Sequence, residues 1–168
     1  MTTITIRQAN AADMEALISL MNEYIVDFYK RPQPAKKQLR NLIDHLFQRP
    51  DTGVQFIATQ NDEAVGFSTL YFTFSTTRVK PVAILNDLYV TEKARGQKIG
   101  EKLFSISHQY TKEHQYAAMS WETAYDNTRA QTLYRKMGGN VTNGEWIHYD
   151  ISNDILQYFS IHKVLTRS

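Results

Sequence analysis

The stretch from Leu88 to Gly100 changes character abruptly. An apolar run ends at Leu88-Tyr89-Val90, and Thr91-Glu92-Lys93-Ala94-Arg95-Gly96-Gln97-Lys98-Ile99-Gly100 follows, polar, basic and glycine-bearing. Beyond it, Ile99, Leu103, Ile106 and Tyr110 fall at helical spacing, so a helix begins near residue 98. A strand, a Gly/basic loop and a helix N-terminus in that order suit anion binding. The first helical turn offers free N–H groups and a partial positive charge. Gly96 and Gly100 have no Cβ to hold a diphosphate off the backbone, and Arg95 and Lys98 add cationic charge. A loop with a solvated basic tip fits the same residues.

Other chemistries meet specific obstacles. A Walker loop needs Gly-Lys-Ser/Thr, but Gly100 is followed by Glu101. A dinucleotide fingerprint belongs to the first strand–turn–helix of a parallel fold, whereas this loop lies mid-chain after a hairpin. With 0 Cys there is no thiolate nucleophile, disulfide or sulfur-ligated metal. His108 and His114 are six apart, there is no His-Glu-x-x-His and no Gly-x-Ser-x-Gly elbow, so no metal is expected.

The elements that must carry this loop can be read from the periodicity. The 168 residues suit a single domain, 1–168. Lys+Arg (19) and Asp+Glu (17) nearly balance, which argues against nucleic acid as a partner. No run approaches a membrane span and the N-terminus lacks a signal peptide's apolar stretch, so no membrane association and a cytoplasmic location are expected.

Ile4-Thr5-Ile6 alternates as a strand. Asn10 reads as an N-cap with Asp13 closing a capping box, opening a helix over 11–29 with Met14, Leu17, Ile18, Met21, Ile25 and Phe28 on one face. Arg31-Pro32 stops it. A second helix spans 38–47. Strands at 56–59 and 64–72 flank a turn at 61–63, and an apolar run covers 82–90. After the helix near 98 come a strand over 117–123, a helix capped by Asp126 or Asn127 and ended by Gly138-Gly139, a hairpin through 141–149, and a helix from Asp154 to about Leu165. The order β-α-α-β-β-β-α-β-α-β-α implies an antiparallel meander followed by parallel pairing, hence a mixed sheet.

Taken together, Asp87-Leu88-Tyr89-Val90, Arg95-Gly96-Gln97-Lys98-Ile99-Gly100, and Asn127-Thr128-Arg129-Ala130 with Tyr134 and Gly138 resemble the Gcn5-related N-acetyltransferases (GNAT). That family's phosphate loop reads Gln/Arg-x-x-Gly-x-Gly/Ala. Arg95 and Gly100 fit, and Lys98 stands where the middle glycine is usual. The resemblance runs over the whole chain. It most favours the diamine (spermidine/spermine or thialysine) acetyltransferase and Hpa2-like branch, through Ile6-Arg7 with Ala11-Ala12-Asp13, Val65-Gly66-Phe67 with Tyr71-Phe72-Thr73, and Trp146.

The resemblance implies an α+β fold, an α/β/α sandwich whose mixed, mostly antiparallel sheet has helices on both faces and splays between its fourth and fifth strands. It implies acetyl-CoA as cofactor, CoA as product, and often a homodimer. The pyrophosphate would sit on Arg95, Gly96, Gln97, Lys98, Ile99, Gly100 and Glu101, and the pantetheine arm on the edge of Leu88, Tyr89 and Val90, which also offers an N–H to the oxyanion. Asn127, small Ala130 and Tyr134 would flank the cofactor, and Tyr134 would protonate the leaving thiolate, since phenol and thiol pKa values are close. By spacing alone, Tyr134 equally fits an apolar face with Leu133 and Met137.

The acceptor amine needs a base. The diamine branch uses a Glu-Asp pair where this chain has Asn86-Asp87, so Asn86 is left to contact substrate while Asp87 and Glu122 are the carboxylates that could take a proton. A structural Asp87 and an outward Glu122 are the competing readings. Asp27 and Phe28 align with the branch's substrate contacts, and Asp27, Glu122 and Glu145 could attract a cationic amine. The expected activity is therefore acetyl transfer to a primary amine in a ternary complex. The acceptor would be a diamine, polyamine or lysine-like amino acid. Two alternatives stand beside it: acetylation of lysine in a protein or peptide, and CoA binding without catalysis.

Overall fold

The structure, a computed structural model, describes residues 2–142, 144, 149 and 151. Met1–Leu133 and Tyr134–Ser168 form two compact units. In the first, β1 (Ile4–Gln8) leads through a single 3-10 turn (Ala11–Asp13) into α1 (Met14–Glu23), followed by α2 (Lys36–Gln48). Then come β2 (Gly53–Gln60), β3 (Glu63–Ser75), β4 (Lys80–Val90), α3 (Ile99–Glu113) and β5 (Met119–Ser120). A last helix, α4 (Thr128–Lys136), crosses from the first unit into the second.

The sheet order is β1-β2-β3-β4-β5; the first three pairings are antiparallel and β4–β5 is parallel. This is the mixed α+β sheet expected from the element order. Alternation sends Ile57, Phe67 and Tyr89 to one face, where they pack with Leu17, Met21 and Tyr24 of the first helical segment and Ile43 of α2. Ser68, on the other face, meets Ser107 of α3 at 2.9 Å. Ser107 spends its proton on the Leu103 carbonyl, so Ser68 is the donor in that buried pair. Helices therefore cover both faces.

The expected N-terminal cap is present. Asn10 Oδ1 accepts from the Ala12 N–H and Asp13 Oδ2 accepts from the Asn10 N–H, both at 2.9 Å. Asp13 also receives two bonds from the Arg7 guanidinium, at 2.7 and 2.8 Å, which tie β1 to the start of α1.

Two expectations need correction. The helix over 11–29 is not uniformly α: after Glu23 it widens into a π turn over Tyr24–Phe28, closed by the Tyr29 N–H on the Tyr24 carbonyl. The strand over 117–123 shrinks to Met119–Ser120, which pairs with β4 only at Ala83 and Ile84. α4 follows the Asn127 cap as expected, and within the second unit the Gly138 N–H reaches the Arg135 carbonyl and the Gly139 N–H the Tyr134 carbonyl, with Gly138 at φ 88°. The expected hairpin through 141–149 lies mostly, and the C-terminal helix over 154–165 entirely, outside the described residues. No described helix is long and apolar enough to cross a membrane.

Asp13 is buried, and the Arg7 guanidinium holds its carboxyl below the ordinary 3.8, with the Asn10 N–H acting in the same direction. The stability it lends is complete above that value and drains away as the pH falls through the lowered one. Water reaches Arg7, so Asp13→Ala should cost about 1–2 kcal/mol at pH 7. Urea unfolding should show this difference in full at pH 7, shrinking as the pH falls below 3.8 and much smaller only below the lowered value.

Candidate active site

The site begins with one extra residue in β4. Leu70 faces Leu85 and Thr69 faces Asp87, which leaves Asn86 without a partner on β3. Such a bulge bends its strand and increases the local twist. Among the described residues β4 pairs with β5 only at Ala83 and Ile84, and from Leu85 to Val90 that edge is open. The expected splay is therefore visible, and it starts at the bulge.

Which backbone groups face the gap follows from the ladder. The Thr91 N–H bonds to the Val65 carbonyl at 2.9 Å, so Thr91 and Tyr89 turn their polar groups toward β3 and Val90 and Leu88 turn theirs outward. The Val90 carbonyl is met by Arg95 Nε at 3.1 Å. That leaves the Leu88 N–H and C=O and the Val90 N–H along the open edge. The Leu88 and Val90 side chains lie on the α3 face, while Tyr89, 5% exposed, lies in the core under α1.

Beyond Val90 the chain makes a 3-10 turn over Glu92–Ala94, anchored by buried Thr91 and Ala94. Gly96 (φ 81°) and Lys98 (φ 61°) are both left-handed. Lys98 precedes α3, supplies no side-chain cap, and accepts the Lys102 N–H on its carbonyl. Lys98 thus opens the helix without a side-chain cap, while Ile99, 1% exposed, pins that end into the core. A left-handed backbone explains why glycine suits position 98; lysine takes it at a cost of about 1–2 kcal/mol. Gln97 accepts from Gln60 at 2.6 Å, which fastens the loop to the end of β2.

The residues expected on the acceptor side, Asp27 and Phe28, lie at the end of the first helical segment, close to Tyr89. Tyr89 donates to Glu23 Oε1 at 2.6 Å, and burial, then this carboxylate, push its phenol up. Asp27 acts in the same direction and Arg95 against it, so both lie within electrostatic reach of Tyr89. The π turn brings Tyr24, Phe28 and Tyr29 together around Tyr89, with Tyr24 5.3 Å and Phe28 6.4 Å from it between ring centres. Tyr24 and Tyr29 are 4.9 Å apart, with their hydroxyls 3.3 Å from each other. Asp27 and Phe28 are exposed at this rim. Glu23 was not singled out from the sequence: it sits on a helix turn of ordinary charge, and only the fold brings the Tyr89 hydroxyl to it.

Asp87 is half-buried on the same face as Tyr89. Burial pushes its carboxyl up from 3.8, against donation from the Thr69 hydroxyl and from the Asn86 amide, which is 3.1 Å away. Asn86 itself is exposed on the bulge.

Glu122 is exposed and lies past the two-residue β5, not on a strand, so alternation does not aim it. Asn127 caps α4: its Oδ1 accepts from the Ala130 N–H at 3.2 Å. Tyr134, half-buried, lies on α4 two turns beyond Asn127 and belongs to the second unit. Glu145 lies outside the described residues. No cluster of three metal-ligating side chains occurs among the described residues.

The sequence profile of the acetyltransferase (GNAT) family matches residues 17–139. The chain belongs to that family. It is 32% identical over 149 residues to an uncharacterised N-acetyltransferase, YhfO, of Bacillus subtilis, covering 87% of this chain and 95% of the relative. It is 31% identical to the D-amino-acid N-acetyltransferase HPA3 of Saccharomyces cerevisiae, over 80% of this chain and 83% of that one. Among solved structures it superposes on a probable acetyltransferase with TM-score 0.79 and 29% identity, covering 89% of this chain and 98% of the other. The protein is thus an N-acetyltransferase, and its family uses acetyl-CoA as acetyl donor. Relatives this similar point to the GNAT family as a whole rather than to its diamine branch.

The two glycines of the loop before and at the start of α3 should separate experimentally. A Cβ on Gly100 would meet Leu133 at 3.6 Å and Val90 at 3.9 Å, ordinary contact distances. Gly96 has open space around it but a φ of 81°. In thermal unfolding, Gly100→Ala should melt at or above the parent temperature. Gly96→Ala should lose about 1–2 kcal/mol.

Proposed function

We propose that the acetyltransferase transfers the acetyl group of acetyl-CoA to a small, cationic primary amine, with both substrates bound at once on a single domain spanning 1–168. The observation that carries this is the open β4 edge followed, across the short Thr91–Lys98 loop, by the first turn of α3, which Lys98 leaves without a side-chain cap. The Leu88 and Val90 peptide groups match a pantetheine arm's alternating amide donors and acceptors. The N–H groups of Ile99, Gly100 and Glu101, with Gly96 left-handed behind them, match a diphosphate. The donor supplies an acetyl thioester, and the protein's work is placement and proton traffic.

An alkylammonium at neutral pH must lose its proton, at a cost of roughly 4–5 kcal/mol. Asp87 takes that proton: its burial makes it a better base than an exposed aspartate. The freed amine attacks the acetyl carbonyl carbon, and an outward N–H of Leu88 or Val90 receives the negative charge growing on the carbonyl oxygen. As the C–S bond breaks, Tyr134 protonates the sulfur, and the second proton shed by the newly acetylated nitrogen returns to the Tyr134 phenolate. That role comes from the resemblance of Asn127-Thr128-Arg129-Ala130 and Tyr134 to the family motif. Glu23 and Asp27, with the exposed Phe28 ring, favour a second positive charge on the acceptor by Coulomb attraction and cation–π contact. The likeness to a D-amino-acid N-acetyltransferase supports a second reading, in which the acceptor is the amine of an amino acid.

The test is CoA thiol release across putrescine, spermidine, thialysine, lysine, D-amino acids and a lysine peptide. Release with the diamines above the zwitterions is expected; preference for D-amino acids selects the second reading, and peptide-only release rejects both. Tyr134→Phe should lower kcat by about 100-fold or more with acetyl-CoA affinity unchanged. Gly100→Ala should weaken CoA binding in calorimetry while folding normally; unaltered affinity would remove the loop from the cofactor site.

A further inference from the structure

Three polar side chains stand in one row across the sheet under α1. Gln55 on β2 faces Thr69 on β3, and Thr69 faces Asp87 on β4. Gln55 is 3% exposed and Thr69 0%. Neither was singled out from the sequence, and neither is needed to fill an apolar core.

Their hydrogen bonds run one way. An ionised carboxylate only accepts, so the single Thr69 proton goes to Asp87. The Thr69 oxygen must then be met by a donor, and Gln55 Nε2 meets it at 3.1 Å. The same Nε2 lies 3.7 Å from Met21 Sδ, while Gln55 Oε1 is buried without a hydrogen-bond partner. The amide is thus held with its donor toward Thr69 although its own carbonyl goes unpaired. An aliphatic residue at 55 would fill the space without that penalty.

We infer that Gln55 and Thr69 are positioning residues that orient Asp87 and hold it ionised on the acceptor side of the splay. This rests on Asp87 as the group that takes the amine's proton. The two residues act through hydrogen-bond polarity: each donor in the row favours the charged carboxylate over the protonated one. Asn86 adds a donor from β4. Among the described residues, Tyr71 on β3 feels the charge of Asp87, and Tyr89, two residues along β4, faces Glu23 and Asp27. Tyr71 is pushed up to about 12, by burial and then by the charge of Asp87, and stays neutral over the working range.

The experiment is kcat/KM against pH for the full chain with its best acceptor. In Thr69→Val the acidic limb should move to higher pH, lowering kcat/KM about tenfold on that limb, with the high-pH plateau within threefold and acetyl-CoA affinity unchanged. Gln55→Met should move the limb the same way by less. Thr69→Ser, which keeps the hydroxyl, should restore the parent profile. A 13C carboxyl titration by NMR, with Asp87 assigned through Asp87→Asn, should show the same displacements without turnover, and Gln55→Met serves there if Thr69→Val does not fold. Asp87→Asn with full activity and an unaltered profile would overturn Asp87 as proton acceptor. Loss of activity in Asp87→Asn, but parent titration in both Gln55→Met and Thr69→Val, would overturn the relay alone.

Discussion

A sheet in which every strand pairs fully has no room for a substrate between strands, and every backbone amide in it is spoken for. Here β4, with Asn86 inserted, is free of both restrictions along one edge. β4 pairs with β5 only at Ala83 and Ile84, so around and beyond the bulge the strand keeps its β3 ladder while, among the described residues, its other edge is unpaired. Unpaired peptide groups are costly in a buried place, which makes such an edge a natural receptor for another amide-bearing chain. The loop inherits its position from that strand. Val90 leads directly into the Glu92–Ala94 turn, Arg95 returns to the Val90 carbonyl, and Ile99 fixes the start of α3 in the core.

The gap has two chemically different ends. Toward α3 lies a helix N-terminus that Lys98 leaves without a side-chain cap, with Arg95 and Lys98 beside it, all favouring anions. Toward α1 lie Glu23 and Asp27 with a cluster of aromatic rings, all favouring cations. Tyr89 connects the two. It sits on the strand whose neighbours Leu88 and Val90 open to the gap, its ring packs in the core, and its hydroxyl binds Glu23 at the last turn of α1. The π turn that follows holds one more residue per turn than α geometry, so Phe28 and Tyr29 gather around Tyr24.

Features set by neighbours along the chain were legible before the fold was known. The Asn10–Asp13 cap, the meander and the Arg95–Gly100 loop depend on residues a few positions apart, where spacing and side-chain type suffice. Features set across the chain were not. Glu23 meets Tyr89 across 66 residues, and the row of Gln55, Thr69 and Asp87 needs the registers of three strands. The π turn carries an unbroken helical pattern, so periodicity reads it as α. β5 pairs with β4 only at Ala83 and Ile84, and nothing in 117–123 itself records that limit.

The bulge also explains how a chain with asparagine at position 86 can keep a base nearby. A bulge residue lies outside the ladder, and Asn86 is exposed, so a carboxylate there would gain little basicity from its surroundings. Position 87 is back in register, faces buried Thr69, and is half-buried itself. Burial raises its proton affinity while donation from Thr69 and Asn86 opposes the rise. Asparagine suits position 86 in this arrangement because its amide donates to Asp87, whereas a second carboxylate one residue away would repel it. On this reading the exchange of an acid for an amide moves the proton acceptor one step along β4, from the exposed bulge residue to the half-buried ladder residue beside it, and the polar row through Thr69 and Gln55 is what keeps that residue charged.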